Sequence, residues 1–132
     1  MVYIKLFIWI EYKEKLKEFI LDLSKISGEI WFDGEMVDWQ DANTHLLTHT
    51  LHYGLGVFEG VRAYATEKGP SIFRLDDHTD RLYKSAATVN MNIPYSKELI
   101  NEAHKEVVKV NNLKEAYIRP CLLYTSDAAD DR

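Results

Sequence analysis

From residue 29 on the pattern of this chain changes period twice, and that order constrains its fold more than any other feature. Residues 29–39 and 61–75 read as strands joined by tight turns, with a polar loop and a mixed stretch between them, residues 76–111 as two helices, and residues 116–123 as a strand again. Ile30-Trp31-Phe32 and Glu35-Met36-Val37 flank Asp33-Gly34, a dipeptide suited to a turn whose two central residues both need positive φ, which gives a hairpin over 29–39. Residues 61–66 and 71–75 read as a second strand pair around a turn at 67–70. A helix then starts at Asp76 or Asp77, either of which can cap free amides, and runs to about Asn90 with Leu75, Leu82, Ala86 and Val89 on one side. Pro94 marks the break. Ser96 caps a second helix over 97–111, whose apolar stripe is Leu99, Ala103, Val107 and Val110, and Asn111-Asn112 suits its left-handed end. The last strand carries Pro120, which cannot donate to a ladder and is expected to interrupt it. Strands, then helices, then a strand make the class α+β.

The chain has 132 residues, which suits one domain with a real core. Upstream, Leu16, Phe19, Ile20 and Leu23 fit one face of a helix over 11–23. Residues 1–10 are apolar except for Lys5, far short of the roughly 20 residues of a bilayer span, and they lack a signal-peptide cleavage pattern. Sixteen Lys and Arg stand against 21 Asp and Glu, a balance that disfavours a nucleic-acid surface. With one cysteine, Cys121, no intrachain disulfide can form. The expected setting is cytoplasmic, without membrane or nucleic acid as partner.

Four constellations carry candidate chemistry. Gly54, Gly56 and Gly60 are spaced one residue too long for a dinucleotide fingerprint and lack the strand that precedes one; between Tyr53 and Phe58 they suggest a tight turn or an aromatic-walled pocket. His45, His49 and His52 align at helical spacing but lack a zinc-site pattern, so packed or surface histidines are the better reading. Arg81 precedes core Leu82 and is either a surface arginine paired with Asp77 or an arginine held to grip a phosphate. Period two puts Tyr117 and Arg119 on one strand face, opposite Ile118, either as an exposed sheet face or as a receptor for a carboxylate.

These residues also fall in motifs. Ile30-Trp31-Phe32-Asp33-Gly34-Glu35, then His49-Thr50-Leu51-His52-Tyr53-Gly54, then Val57-Phe58-Glu59-Gly60-Val61-Arg62-Ala63-Tyr64, then His78-Thr79-Asp80-Arg81-Leu82 and finally Ala116-Tyr117-Ile118-Arg119-Pro120 follow one another over residues 29–120. In order and spacing they resemble the N-terminal small domain of the branched-chain amino acid aminotransferases, fold-type IV enzymes that use pyridoxal 5′-phosphate (PLP). The resemblance implies an antiparallel sheet with two packed helices. It implies that Arg81 binds the PLP phosphate, and that Phe58 and Tyr53 surround the branched side chain, Tyr53 from the neighbouring subunit. It further implies that Tyr117 and Arg119 receive substrate carboxylates. The substrates would be leucine, isoleucine or valine and 2-oxoglutarate, and the parent a homodimer or larger. A D-amino acid aminotransferase, an aminodeoxychorismate lyase, or a fragment with no enzymatic role are the alternatives.

The family's cofactor-anchoring lysine lies in a larger C-terminal domain, and no lysine here falls in a matching motif. No catalytic residue is therefore assigned, and this polypeptide alone is expected to be inactive and poorly soluble. Residues 1–28 read as an atypical extension, consistent with an upstream start. Residues 121–132 depart from the family and resemble a translated sequencing adapter, so native sequence is expected to stop at residue 120.

Overall fold

A computed structural model describes residues 2–9, as backbone, and residues 27–124. Among them, strands β1 (Val2–Trp9), β2 (Glu29–Phe32) and β3 (Glu35–Asp38) precede helix α1 (His49–Tyr53). Strands β4 (Gly56–Phe58), β5 (Val61–Thr66) and β6 (Gly69–Ile72) follow, then helices α2 (Leu75–Thr88) and α3 (Lys97–Val110) and strand β7 (Ala116–Tyr124). The helix expected over 11–23 lies outside the described residues.

All strands join one antiparallel sheet in the order β3-β2-β1-β7-β5-β6, with β4 also on β7. Strand β1, which the sequence reading did not anticipate, lies between β2 and β7; Leu6 faces Trp31 on one side and Pro120 on the other. At the hairpin turn Asp33 and Gly34 both have positive φ, 50° and 103°, as that turn requires. Tyr95, from the loop between the helices, caps this turn. Its hydroxyl donates to Asp33 Oδ1 at 2.9 Å and its ring meets Trp31 edge-on at 5.3 Å. Burial first, then the Asp33 carboxylate, pushes the Tyr95 hydroxyl up to about 12.

One face of the sheet is covered by α2 and α3. Along β7, Ala116, Ile118, Pro120 and Leu122 are buried while Tyr117, Arg119, Cys121 and Leu123 are half-buried. The period-two reading of Tyr117 and Arg119 against Ile118 therefore holds. Strand β7 continues through Tyr124, so the segment read as a tail contributes a fully buried Leu122. Leu82, Ile100, Val61 and Ile118 are fully buried around it; each such side chain contributes about 1.5–3 kcal/mol.

Several element boundaries differ from the expectations. The turn between β5 and β6 takes only Glu67 and Lys68, because Gly69 enters β6 at φ 107° and Pro70 sits on an edge strand where its missing N–H costs nothing. Helix α2 starts at Leu75 without a side-chain cap; Arg74 precedes it in the left-handed region at φ 47°. Ser96 does cap α3, accepting from the Leu99 amide at 3.2 Å. The buried face of α3 is Ile100, Ala103, His104, Val107 and Val108, one step round from the expected stripe, leaving Leu99 and Val110 partly in solvent. Val89 is likewise exposed. At the C-terminus of α3 the left-handed residue is Asn112, at φ 52°. Asn111 does something else: its side-chain amide pairs with the Glu29 backbone as a neighbouring strand would. Oδ1 accepts from Glu29 N at 2.8 Å, and Nδ2 donates to Glu29 O at 2.9 Å and to Val107 O at 2.8 Å. Asn111→Ala is expected to cost about 1–2 kcal/mol, because Glu29 N–H and C=O lose partners in a half-buried place. Urea denaturation checks this, and a midpoint within error of the parent's would mean that water replaces the amide.

Among the described residues no helix is long and apolar enough to cross a membrane.

Candidate active site

The site forms where one strand is interrupted. Strands β4 and β5 keep a single register against β7, with Phe58 opposite Cys121 and Val61 opposite Ile118. Between them Glu59 and Gly60 leave the ladder. Pro120 lies opposite Glu59 and accepts from its amide at 3.0 Å, but it has no N–H to return. The interruption expected in β7 therefore falls on its partner strand.

Period two then separates two clusters. Glu59 points with Val61 and Ala63 toward the helices. It is 6% exposed, yet it is a carboxylate, so it must be paired. Arg81 on α2 supplies the pair: Nε donates to Oε1 at 2.6 Å and Nη2 to Oε2 at 2.5 Å, a bidentate fork. His78, one turn earlier, places Nδ1 3.0 Å from Oε2. Burial would raise the Glu59 carboxyl, but the hydrogen bonds and charges of Arg81 and His78 outweigh it and hold it below the usual range. Hydrogen bonding to Glu59 raises the Arg81 guanidinium further. The expected partner, Asp77, binds Arg74 instead at 2.7 Å. Arg81 is thus neither buried nor loose: its side chain is 64% exposed, with one edge fixed.

The second cluster lies on the face away from the helices. The Arg119 guanidinium stacks 4.7 Å above the Phe58 ring and 5.4 Å from the Tyr117 ring, and Nη2 lies 3.3 Å from the Tyr117 hydroxyl, to which it donates. Arg62 approaches the Tyr117 ring at 5.9 Å. Two guanidinium groups and a phenol hydroxyl beside an exposed phenyl ring can hold a carboxylate next to an apolar group. Gly60 makes room for this: a Cβ there would overlap the Tyr117 hydroxyl oxygen. Gly60→Ala is expected to cost about 2 kcal/mol and to push the Tyr117 ring off its seat. Denaturation together with the loss of the Tyr117–Gly60 nuclear Overhauser contact would show it; an alanine variant of parent stability with Tyr117 unmoved would exclude the clash.

Tyr53 is not part of this cluster. It ends α1, is 71% exposed, and packs on His49 at 5.3 Å. Leu46, Leu47 and Leu51 beside it are also largely exposed. The three histidines of this region face different partners: His45 Nδ1 accepts from the Leu47 amide, His52 Nε2 meets Leu46 O, and His49 stacks on Tyr53 and Tyr124. The glycines serve the turn. Gly54 closes α1 at φ 69°, and Gly56 leaves space for Thr50, whose hydroxyl accepts from the Tyr124 amide at 2.8 Å. Sequence reasoning gave Glu59, His78 and Arg62 no site role, and left Gly60 between a tight turn and an aromatic-walled pocket. Pro120 was the available signal, since a proline in a strand marks where the opposite residue is free to do other work.

The donor set of Arg81 suits a phosphate: Nη1 makes no hydrogen bond among the described residues, and the side chain is largely exposed.

The family model described as amino-transferase class IV matches residues 56–131. The branched-chain-amino-acid aminotransferase of Pseudomonas aeruginosa is 59% identical over 107 residues, covering 81% of this chain and 35% of that protein. Its Escherichia coli counterpart is 45% identical over 104 residues, covering 79% and 33%. Among solved structures, the Escherichia coli branched-chain amino acid aminotransferase superposes with TM-score 0.74 at 44% identity, covering 76% of this chain and 34% of that one. The T.th. branched-chain amino acid aminotransferase, solved with N-(5′-phosphopyridoxyl)-L-glutamate, gives 0.71 at 50% identity, covering 73% and 32%. The chain spans about a third of the length of the curated relatives it matches.

Proposed function

The chain belongs to the amino-transferase class IV family, and on that premise we propose that it forms the small-domain half of the active site of a branched-chain amino acid aminotransferase. The amino group of leucine, isoleucine or valine passes to 2-oxoglutarate. The observation that carries this reading is the pair of clusters at the β4–β5 break. On one side a fixed arginine offers a free edge; on the other a second arginine and a phenol lie against a phenyl ring. The relatives' names and the phosphopyridoxyl-glutamate in one of them support it.

PLP, when bound, supplies the electron sink on which the amino group is transferred. Arg81 holds its phosphate through the edge that Glu59 leaves free. Tyr117 and Arg119 bind substrate carboxylates, orienting the amino acid, and Phe58 lines the side-chain pocket and excludes water. One pocket thereby serves an apolar and a carboxylate side chain: the Arg119 charge meets the second carboxylate, and its stack on Phe58 keeps the wall apolar otherwise. Tyr53 completes the site of a second copy in an oligomer, a role supported by its exposure beside Leu46, Leu47 and Leu51. The reaction is placed in the cytoplasm. Residues 29–120 act as the small domain, and the anchoring lysine comes from sequence beyond that range.

The test is a graft of residues 29–120 in place of the matching part of the Pseudomonas aeruginosa relative, assayed with leucine and 2-oxoglutarate. Retained turnover supports the proposal. PLP retained with turnover of a different amino acid points to the D-amino acid aminotransferase reading, and loss of PLP from a folded graft rejects the site.

A further inference from the structure

The Arg81 side chain stands on an exposed helix face, where an arginine normally samples many rotamers. Here it does not, because Glu59 is fixed at both ends. Its backbone is tied to Pro120 O at 3.0 Å, and its carboxylate is buried and held by His78 at 3.0 Å. A guanidinium has two forked edges. Glu59 takes the side edge, Nε and Nη2, and Nη2 also lies 3.5 Å from His78 Nδ1 on that side; Nη1, on the end edge, makes no hydrogen bond among the described residues. We infer that Glu59 is a positioning residue that shares the Arg81 guanidinium with a phosphate, Glu59 keeping the side edge while the phosphate binds the end edge.

This rests on the reading of Arg81 as the phosphate ligand. Fixing the arginine beforehand removes the entropy cost of ordering it on binding. The opposing effect is repulsion between the Glu59 carboxylate and the anion, which the Arg81 guanidinium lying between them offsets. The inference gives Glu59 a role that a plain surface ion pair would not have.

Inorganic phosphate titrated into this chain at 0.15 M NaCl tests it, followed through the 31P line width of the phosphate in every variant and through the Nε–H and Nη–H resonances wherever Arg81 is present. In the parent, phosphate is expected to shift the Nη–H signals while Nε–H stays in place and protected. Glu59→Gln is expected to weaken binding by about tenfold, through lost order. Arg81→Lys, on an exposed position that does not threaten folding, keeps the charge and the pairing but has no second edge; it is expected to lose at least about tenfold as well. Arg81→Ala is expected to abolish the response. If phosphate shifts nothing at Arg81, or Arg81→Ala binds as the parent does, the phosphate reading of Arg81 fails. If Arg81→Ala loses binding but Arg81→Lys and Glu59→Gln stay within about threefold of the parent, Arg81 acts as a point charge and the shared-edge inference alone is overturned. Loss of the Nε–H signal on adding phosphate overturns it too, since the anion would then displace Glu59.

Discussion

Replacing Arg119 with leucine is expected to slow the glutamate half-reaction at least about a hundredfold and the leucine half-reaction less than about tenfold. The asymmetry follows from charge. Leucine brings one carboxylate to the pocket and glutamate two, and in this reading Arg119 receives the second. A carboxylate left without its partner in a half-buried place costs about two steps of 1.4 kcal/mol or more in transition-state free energy. For leucine the same substitution puts an apolar side chain against Phe58, where the guanidinium now stacks at 4.7 Å, and an apolar substrate loses little from that exchange. The effect on Tyr117 works the other way: its hydroxyl loses the Arg119 donor but keeps Arg62 over the ring and Gly60 beneath. Single-turnover rates with each amino acid, in the grafted enzyme and its Arg119→Leu variant, measure the ratio directly. Equal losses would place Arg119 on the carboxylate common to both substrates.

The features legible in the sequence were those set by short-range chemistry. Asp33-Gly34 gave the hairpin turn because both positions need positive φ. Ser96 gave the start of α3 because its hydroxyl has one obvious amide to accept from, and alternation along β7 put Tyr117 and Arg119 on one face. What depended on pairing between distant segments was not legible. Strand β1 fills the space between β2 and β7, yet an apolar run of that length names no partner. The Arg81 partner was sought one turn away, at Asp77, but a buried carboxylate 22 positions back outcompetes an exposed one, since Glu59 cannot remain buried without a counter-charge. The stripe of α3 was displaced for a similar reason. Leu99, Ala103, Val107 and Val110 fit the helical period, and so do Ile100, His104, Val107 and Val108. Apolarity alone favours the first set because it excludes a histidine from the core. The structure selects the second and buries His104.

That choice carries a pH dependence, and His104 is expected to cost the fold about 3 kcal/mol as pH falls from 7 to 4. The imidazole is 1% exposed. With its Nδ1 hydrogen it donates to Ile100 O at 2.7 Å, and Nε2 is left buried without a partner, so only the neutral ring fits. Burial pulls its pKa down from 6.5 to about 4, against the Ile100 hydrogen bond and with a smaller push from His78. The unfolded chain titrates near 6.5 and therefore binds the proton first. Stability is fully present above that pH and is lost at about 1.4 kcal/mol per unit as pH falls toward 4. The upper part of this window separates His104 from the carboxylates: Glu59, held below its ordinary 4.5, loses its contribution only at more acid pH. Urea denaturation at steps between pH 7 and 5 is expected to show a loss of about 2 kcal/mol in the parent and a much flatter profile in His104→Leu, whose side chain has no proton to gain. The absolute stability of the variant does not enter the test, because the slope alone reports the buried imidazole. Parallel slopes in the two proteins would mean that the ring reaches water, and with it a proton, without unfolding.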